Sequence, residues 1–386
     1  MKKRILAVLI MIVLLPLSAS AAEPALSFSP PEKGLTIFLG KDDAHSSLRW
    51  RVLDTDENRI LLITRNTANI STDWYDRQYP FVSMDYVDNF EDGNYPKLSR
   101  WDKSQIRALC SSMYQDWVYS AGVHKQEAQA LIPCTVEETE NYRAGRFDLE
   151  CEPVSLNGEP IFVLSAKEAE QYFDSEADRA CTDADGAPTW WWLRSPVRHS
   201  SIYLDSAYII CCVDDAGWLN SFDVLQSYNY PLAGFRPSCQ LDPKRVLFIN
   251  AVKDGKPKLA RDVSMKPVAA GDYEDWKLTL LMPGWSFSAE TAPLTAGAGE
   301  NIVIQYTGAK IGSKYAISVI ICDREGTPLY YGSLKSSKLV DGTAEFPVPA
   351  ELAPGEYTVK VFNEERNDNR NSDLASGFTD IPLTVR

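Results

Sequence analysis

Apolar and polar positions follow two different patterns along this chain, and the change of pattern predicts a change of architecture. From Leu35 to about Asp242, short apolar runs mix with stretches at helical spacing. Leu48-Arg49-Trp50-Arg51-Val52-Leu53 and Arg59-Ile60-Leu61-Leu62-Ile63-Thr64 flank the polar Asp54-Thr55-Asp56-Glu57-Asn58, which predicts a β-hairpin. Asp102 to Leu109 places its apolar residues at helical spacing behind a possible cap, Asp102, and predicts a helix packed on the core. Ile161 to Leu164 reads as a buried strand. Ser165-Ala166-Lys167-Glu168 then opens a second helix as a capping box: the serine accepts from the backbone and the glutamate reaches back.

From about Asp275 onward only strands and turns are predicted. Seven short apolar runs, near residues 276–281, 302–306, 315–320, 329–332, 344–348, 357–362 and 381–385, are separated by Gly, Pro and Asp turns. That spacing predicts a β-sandwich of immunoglobulin-like type. The stretch 244–274, polar and marked by Gly and Pro, is the expected linker. The organisation predicted is a mixed α+β domain over 35–243, the linker, and an all-β sandwich over 275–386. A chain of this length divides naturally into two cores.

The N-terminus changes the picture of where the chain works. Lys2, Lys3 and Arg4 precede the apolar run Ile5 to Leu17, and Ser18-Ala19-Ser20-Ala21-Ala22 follows. This is the pattern of a secretory signal peptide over 1–22, and its apolar run is shorter than the ~20 residues that span a bilayer. No cysteine follows the small residues and no hydrophobic tail ends the sequence, so a secreted product without membrane insertion is expected. Loss of the three basic residues takes the formal net charge from −14 to −17, with 39 minus 3 basic residues facing 53 acidic ones. So acidic a surface repels phosphate backbones and disfavours nucleic acid as a partner.

Eight cysteines, Cys110, Cys134, Cys151, Cys181, Cys211, Cys212, Cys239 and Cys322, make disulfides plausible in an oxidising compartment. Eight cysteines allow 105 pairings, so no connectivity is assigned. No CxxC pair or His/Cys cluster has metal-ligand spacing, and no metal or cofactor is expected.

Five stretches in fixed order carry a family resemblance: Trp50 to Asp54, Trp101 to Arg107, Phe162 to Ala169, Trp190-Trp191-Trp192-Leu193-Arg194-Ser195-Pro196, and Gly234-Phe235-Arg236-Pro237. Over residues 35–243 the chain resembles a family of exported bacterial domains of unknown function. The resemblance implies a C-type-lectin-like fold, distantly akin to the formylglycine-generating enzymes, with an immunoglobulin-like domain following. No activity comes with it. The sugar and calcium motifs of the calcium-dependent lectins are replaced here by Glu152-Pro153-Val154 and Gln240-Leu241-Asp242. Cys211 and Cys212 are adjacent, unlike the spaced redox cysteines of the enzyme group.

Two readings compete for the tryptophans. In a strand, Trp190, Trp192 and Arg194 share one face and Trp191, Leu193 and Ser195 the other. Exposed, they would stack on a ligand while Arg194 or Arg236 gripped a carboxylate. Buried, Trp50, Trp190, Trp191, Trp192, Arg194 and Arg236 would form the structural core, and this reading is preferred because tryptophan is highly buried on average. Ligand contacts are then expected on the loop that holds His199, Tyr203, Tyr208, Asp214, Asp215, Trp218, Asn220, Tyr228 and Tyr230. The acidic stretch Glu364 to Asp373 reads as a solvated loop, with a structural calcium conceivable. His45, His124 and His199 sit in no nucleophile motif, and no catalytic residue is assigned.

The function expected is therefore an exported, non-enzymatic binding or adhesion protein for an extracellular glycan or protein. A cysteine-dependent enzyme using Cys211 or Cys239, and a purely structural envelope component, are the alternatives.

Overall fold

The computed structural model describes residues 23–42, 45–68, 81, 99–199, 209–224, 233–257, 264–335 and 339–386. Strands β1 (Thr36–Lys41), β2 (Ser47–Thr55) and β3 (Ile60–Thr64) form an antiparallel meander. The hairpin expected around Asp54–Asn58 joins β2 to β3. There the Asp56 carboxylate accepts from the amides of Asn58 at 2.7 Å and Arg59 at 2.9 Å, which fixes the turn. In β2, Leu48, Trp50 and Val52 are buried while Arg49 and Arg51 point to the other face.

Helix α1 (Gln105–Tyr119) buries Ile106, Leu109, Cys110, Met113 and Trp117 along one stripe. Its cap is Ser104, whose hydroxyl accepts from Arg107 N at 3.0 Å; Asp102 lies in the short 3-10 turn before it. After α2 (Val123–Gln129) come β4 (Leu149–Cys151), β5 (Ile161–Phe162) and α3 (Ala166–Tyr172). Both halves of the Ser165–Glu168 capping box are formed. Then follow α4 (Glu176–Arg179), β6 (Cys181–Thr182), β7 (Pro188–His199), β8 (Ile209–Val213), β9 (Leu219–Asp223), β10 (Ala233–Gly234) and β11 (Ser238–Leu241).

The tryptophan run lies on β7, which joins much of this half. β7 pairs antiparallel with β8, β4 and β6, and parallel with β10 through Trp190↔Ala233 and Trp191↔Gly234. The motifs Trp190–Pro196 and Gly234–Pro237 are thus direct neighbours in one sheet. Trp50, Trp191 and Trp192 are fully buried, Arg194 and Arg236 are buried, and Trp190 is half-buried against Phe222.

The second half begins earlier than its sequence pattern indicates. β12 (Val246–Ala251), within the stretch expected as linker, pairs antiparallel with β13 (Asp275–Leu281) and buries Phe248, Ile249 and Ala251. Beyond it lie β14 (Asn301–Thr307), β15 (Tyr315–Cys322), β16 (Pro328–Lys335), β17 (Gly342–Pro347), β18 (Gly355–Glu365), β19 (Asp373–Ala375) and β20 (Thr379–Val385). β14 and β17 pair as one layer, and Ile302, Ile304 and Phe346 pack against Ile317, Val319, Val359, Val361 and Ile381 of β15, β18 and β20. This is an all-β sandwich.

The halves are joined by backbone. β13 pairs parallel with β1 through Trp276↔Ile37 and parallel with β19 through Leu280↔Leu374. One sheet therefore runs β5-β11-β3-β2-β1-β13-β19-β18-β15-β16 across the molecule. A buried ion cluster lies over this junction. Lys256 Nζ reaches Glu364 Oε2 at 2.7 Å and Asp373 Oδ2 at 2.9 Å, and Lys277 Nζ reaches Asp373 Oδ1 at 2.7 Å. The two ends of the expected acidic loop are thus buried and neutralised by lysines, and no group of metal-ligating residues is found among the described residues.

The mixed α+β, C-type-lectin-like architecture expected for the first half is corrected by this structure. Strands account for 46% of the chain and helices for 13%, with four helices among the described residues. Helical periodicity was a sound local signal, but among the described residues α1 is the one helix longer than two turns. The expected disulfides are also absent: all eight cysteines are buried free thiols.

Candidate functional site

The two arginines of the paired motifs are both buried, yet their surroundings differ. Arg194 Nη2 donates to Glu138 Oε1 and Glu168 Oε1, each at 3.0 Å, and Nη1 donates to Glu168 Oε2 at 2.5 Å. The carbonyls of Val163 and Val154 accept from Nη1 at 2.9 Å and Nε at 3.2 Å. Burial works against the charge on Glu168, but the Arg194 guanidinium more than offsets it and holds the carboxyl below its ordinary range. This is a closed, compensated ion cluster.

Among the described residues, Arg236 hydrogen-bonds only to carbonyls. Its Nε donates to Thr64 O at 2.9 Å and its Nη1 to Arg179 O at 3.0 Å. Its guanidinium carbon lies 4.7 Å from the centre of the Trp191 ring and 5.4 Å from that of Phe173. The aromatic faces attract the cation but carry no charge. No carboxylate lies within ion-pair distance of it among the described residues, although Arg236 is 2% exposed. Burial pushes its pKa down, and the neighbouring Arg51 and Arg65 act in the same direction.

Arg236 lies at the base of a cleft of about 570 Å³. Arg51, Arg65, Asn66, Asp178 and Asp215 shape its walls. Arg51 is paired: its Nη2 donates to Asp178 Oδ2 at 2.8 Å and its Nη1 to Asp178 Oδ1. Burial opposes the charge of Asp178, but the Arg51 hydrogen bond, the Asp174 amide and the charges of Arg51 and Lys33 together outweigh it and lower the pKa. Arg65 is exposed; it spends one N–H on Thr36 Oγ1 at 3.0 Å and has no carboxylate within ion-pair distance among the described residues. Asn66 donates to Thr182 Oγ1 at 3.0 Å and Asp183 O at 2.8 Å, which leaves its carbonyl oxygen free to accept.

Part of the loop expected to contact ligand borders this cleft. Asp214 to Trp218 form the β8–β9 turn, in which Asp214 Oδ1 accepts from Ala216 N at 3.1 Å and Trp218 N at 2.8 Å. Asp214 thus shapes the turn from a buried position, and Asp215 at its tip is exposed on the cleft rim. Gly217 seats the tip on α4: it has φ +85°, and a Cβ there would lie 1.8 Å from Glu176 O. Trp218 is half-buried under the Arg146 guanidinium, whose carbon is 4.6 Å from its ring centre. Asn220 Oδ1 accepts from Ser221 N at 2.8 Å. His199 ends β7, with its side chain outside the described residues, as are Tyr203, Tyr208, Tyr228 and Tyr230.

Of the residues expected at the site, then, the structure brings Asp215 to the cleft, together with Arg236 from the expected core. Arg51, Arg65, Asn66 and Asp178 were not anticipated. Arg51 had a usable signal: strand alternation sets it opposite buried Trp50.

The cysteines offer little nucleophilic character. Burial pushes the thiols of Cys110, Cys212 and Cys239 up, and those of Cys134 and Cys322 up to about 12. Cys211 is also raised, first by a hydrogen bond with Cys151 and then by burial. Cys181, on the cleft wall, is raised by burial and donates to Arg65 O at 3.6 Å. Nucleophilic cysteines need lowered pKa values, so these are structural thiols.

Comparison with known families now places the cleft. A DUF6273 domain of unknown function spans residues 57–243. Arg65, Asp178, Asp215 and Arg236 lie inside the DUF6273 domain, while Gly34, in the turn before β1, and Arg51, on β2, reach the cleft from the chain that precedes it. No curated protein matches the chain. Among solved structures, CopC from Methylosinus trichosporium OB3b is similar at 20% identity over 26% of this chain and 91% of its own, with a TM-score of 0.18. A chain of the Coh-OlpA-Doc918 cohesin–dockerin complex from Clostridium thermocellum ATTC 27405 is similar at 10% identity over 26% of this chain and 99% of its own, with a TM-score of 0.14.

Proposed function

We propose that the chain is an exported binding module, with its ligand site in the cleft of the DUF6273 domain and an all-β sandwich fixed rigidly behind it. The observation that carries this reading is the cleft itself, with charged and hydrogen-bonding groups converging on about 570 Å³ of open space. Those groups are arginines, an amide and carboxylates, which suit recognition by hydrogen bonding. The signal-peptide pattern of residues 1–22 supports release to the cell exterior, where glycans and proteins are the available ligands. No helix among the described residues is long and apolar enough to cross a membrane.

A glycan and protein array probed with the full chain tests this reading. Binding that Arg51→Ala or Asp215→Ala weakens at least tenfold supports it. An array without any binder, or binding indifferent to both substitutions, refutes the cleft as the site. The cysteine-enzyme alternative predicts a thiol that reacts rapidly with iodoacetamide in the native state, whereas eight buried thiols predict labelling only on unfolding.

A further inference from the structure

Arg236 holds a charge that pairs with no carboxylate among the described residues, and this narrows the ligand. Of its five N–H donors, the two described bonds use one on Nε and one on Nη1. Nη2 is bonded to nothing among the described residues and is not sealed off from the surface, so its edge opens on the cleft that the residue lines. The rings of Trp191 and Phe173 hold the guanidinium carbon at 4.7 and 5.4 Å and fix its plane. A fixed planar fork of N–H groups matches the two oxygens of a carboxylate.

Arg65 adds a second cation on the same wall without a carboxylate partner among the described residues, while Arg51 is already matched by Asp178. The cleft therefore has a surplus of positive charge within a chain of net charge −14. The remaining lining argues against a simple anion. The free Asn66 carbonyl and the exposed Asp215 carboxylate accept hydrogen bonds, and a ligand that meets both needs hydroxyl donors as well as an anionic group. Cleft volume fits one or two sugar rings.

We propose that Arg236 and Arg65 receive the carboxylate of an acidic, uronic-type sugar, with Asn66 and Asp215 accepting from its hydroxyls. This rests on the binding-module reading and names its ligand class. The neutral sugar lacks the anion, and sulfate lacks the hydroxyls, so each isolates one half of the recognition.

Calorimetric titration of the full chain with sodium glucuronate, glucose and sodium sulfate tests the proposal. Glucuronate is expected to bind at least tenfold more tightly than either of the others, and more weakly as salt rises. Arg236→Met is expected to abolish that binding with the circular dichroism spectrum unchanged. Exposed Arg65→Ala, which leaves the core untouched, is expected to weaken it about tenfold, a loss of ~1.4 kcal/mol. Equal affinity for glucose or for sulfate, or a glucuronate affinity indifferent to Arg65→Ala, overturns the proposal. If a neutral glycan from the array binds at the cleft, the binding-module reading stands and the acidic-sugar class falls. If neither glucuronate nor any array ligand binds, both fall.

Discussion

Arg194 lies on β7 and Arg236 just beyond its neighbour β10; they come from the two paired motifs and are 0% and 2% exposed, yet among the described residues one has carboxylate partners and the other has none. Arg194 has Glu138 and Glu168 on its guanidinium; Arg236 has two carbonyls and two aromatic rings. Burial alone therefore does not identify a structural arginine. The presence or absence of a counter-charge does, because an unmatched buried cation is costly and persists where something else repays it.

Substitutions should separate the two sites by size of effect. Arg194→Met strands two carboxylates and is expected to cost about 3–5 kcal/mol in urea unfolding. A loss under ~1 kcal/mol would make the two arginines alike. Next, Gly217→Ala forces a side chain against α4 at positive φ and is expected to cost about 1–3 kcal/mol. Because the tip carries Asp215, the same change should reduce ligand binding, read by calorimetry. The smallest effect is expected for Arg236→Met. Relief of the unmatched charge offsets two lost carbonyl hydrogen bonds, so stability should move by no more than about 1–2 kcal/mol.

The sandwich junction sharpens the comparison by pH. Burial raises the Glu364 pKa, but Lys256 and Arg366 more than offset this and bring it down to about 2 from 4.5. A depressed folded-state pKa means that the stabilisation is complete above 4.5 and fades as pH falls toward about 2. Acid unfolding monitored by fluorescence should therefore steepen in that window, and Glu364→Gln should flatten it. Arg236→Met should leave the profile unchanged, since no carboxylate among the described residues is paired with Arg236.

Local chemistry was legible in the sequence where neighbours in the chain make the contacts. Asp56 and Asn58 announced the β2–β3 turn, and Ser165 and Glu168 announced the start of α3. The cap of α1 was misplaced by two residues, since Asp102 and Ser104 are both competent caps and the 3-10 turn decides between them. Long-range pairing left no such trace. β1 and β13 meet across more than two hundred residues, and their parallel pairing turns the expected pair of domains into one continuous sheet. The same limit applies to the site. Glu138 and Glu168 reach Arg194 from 56 and 26 residues away, so motif spacing could not reveal that Arg236 lacks their equivalent. The aromatic run indicated burial but not which arginine remains open.

A crystal structure of the chain soaked with sodium glucuronate tests the central claim most directly. The account predicts a ligand carboxylate oxygen about 2.7–2.9 Å from Arg236 Nη2. An Asp215 carboxylate folded onto Arg236 in its place would show that the protein neutralises its own charge, and would contradict the account.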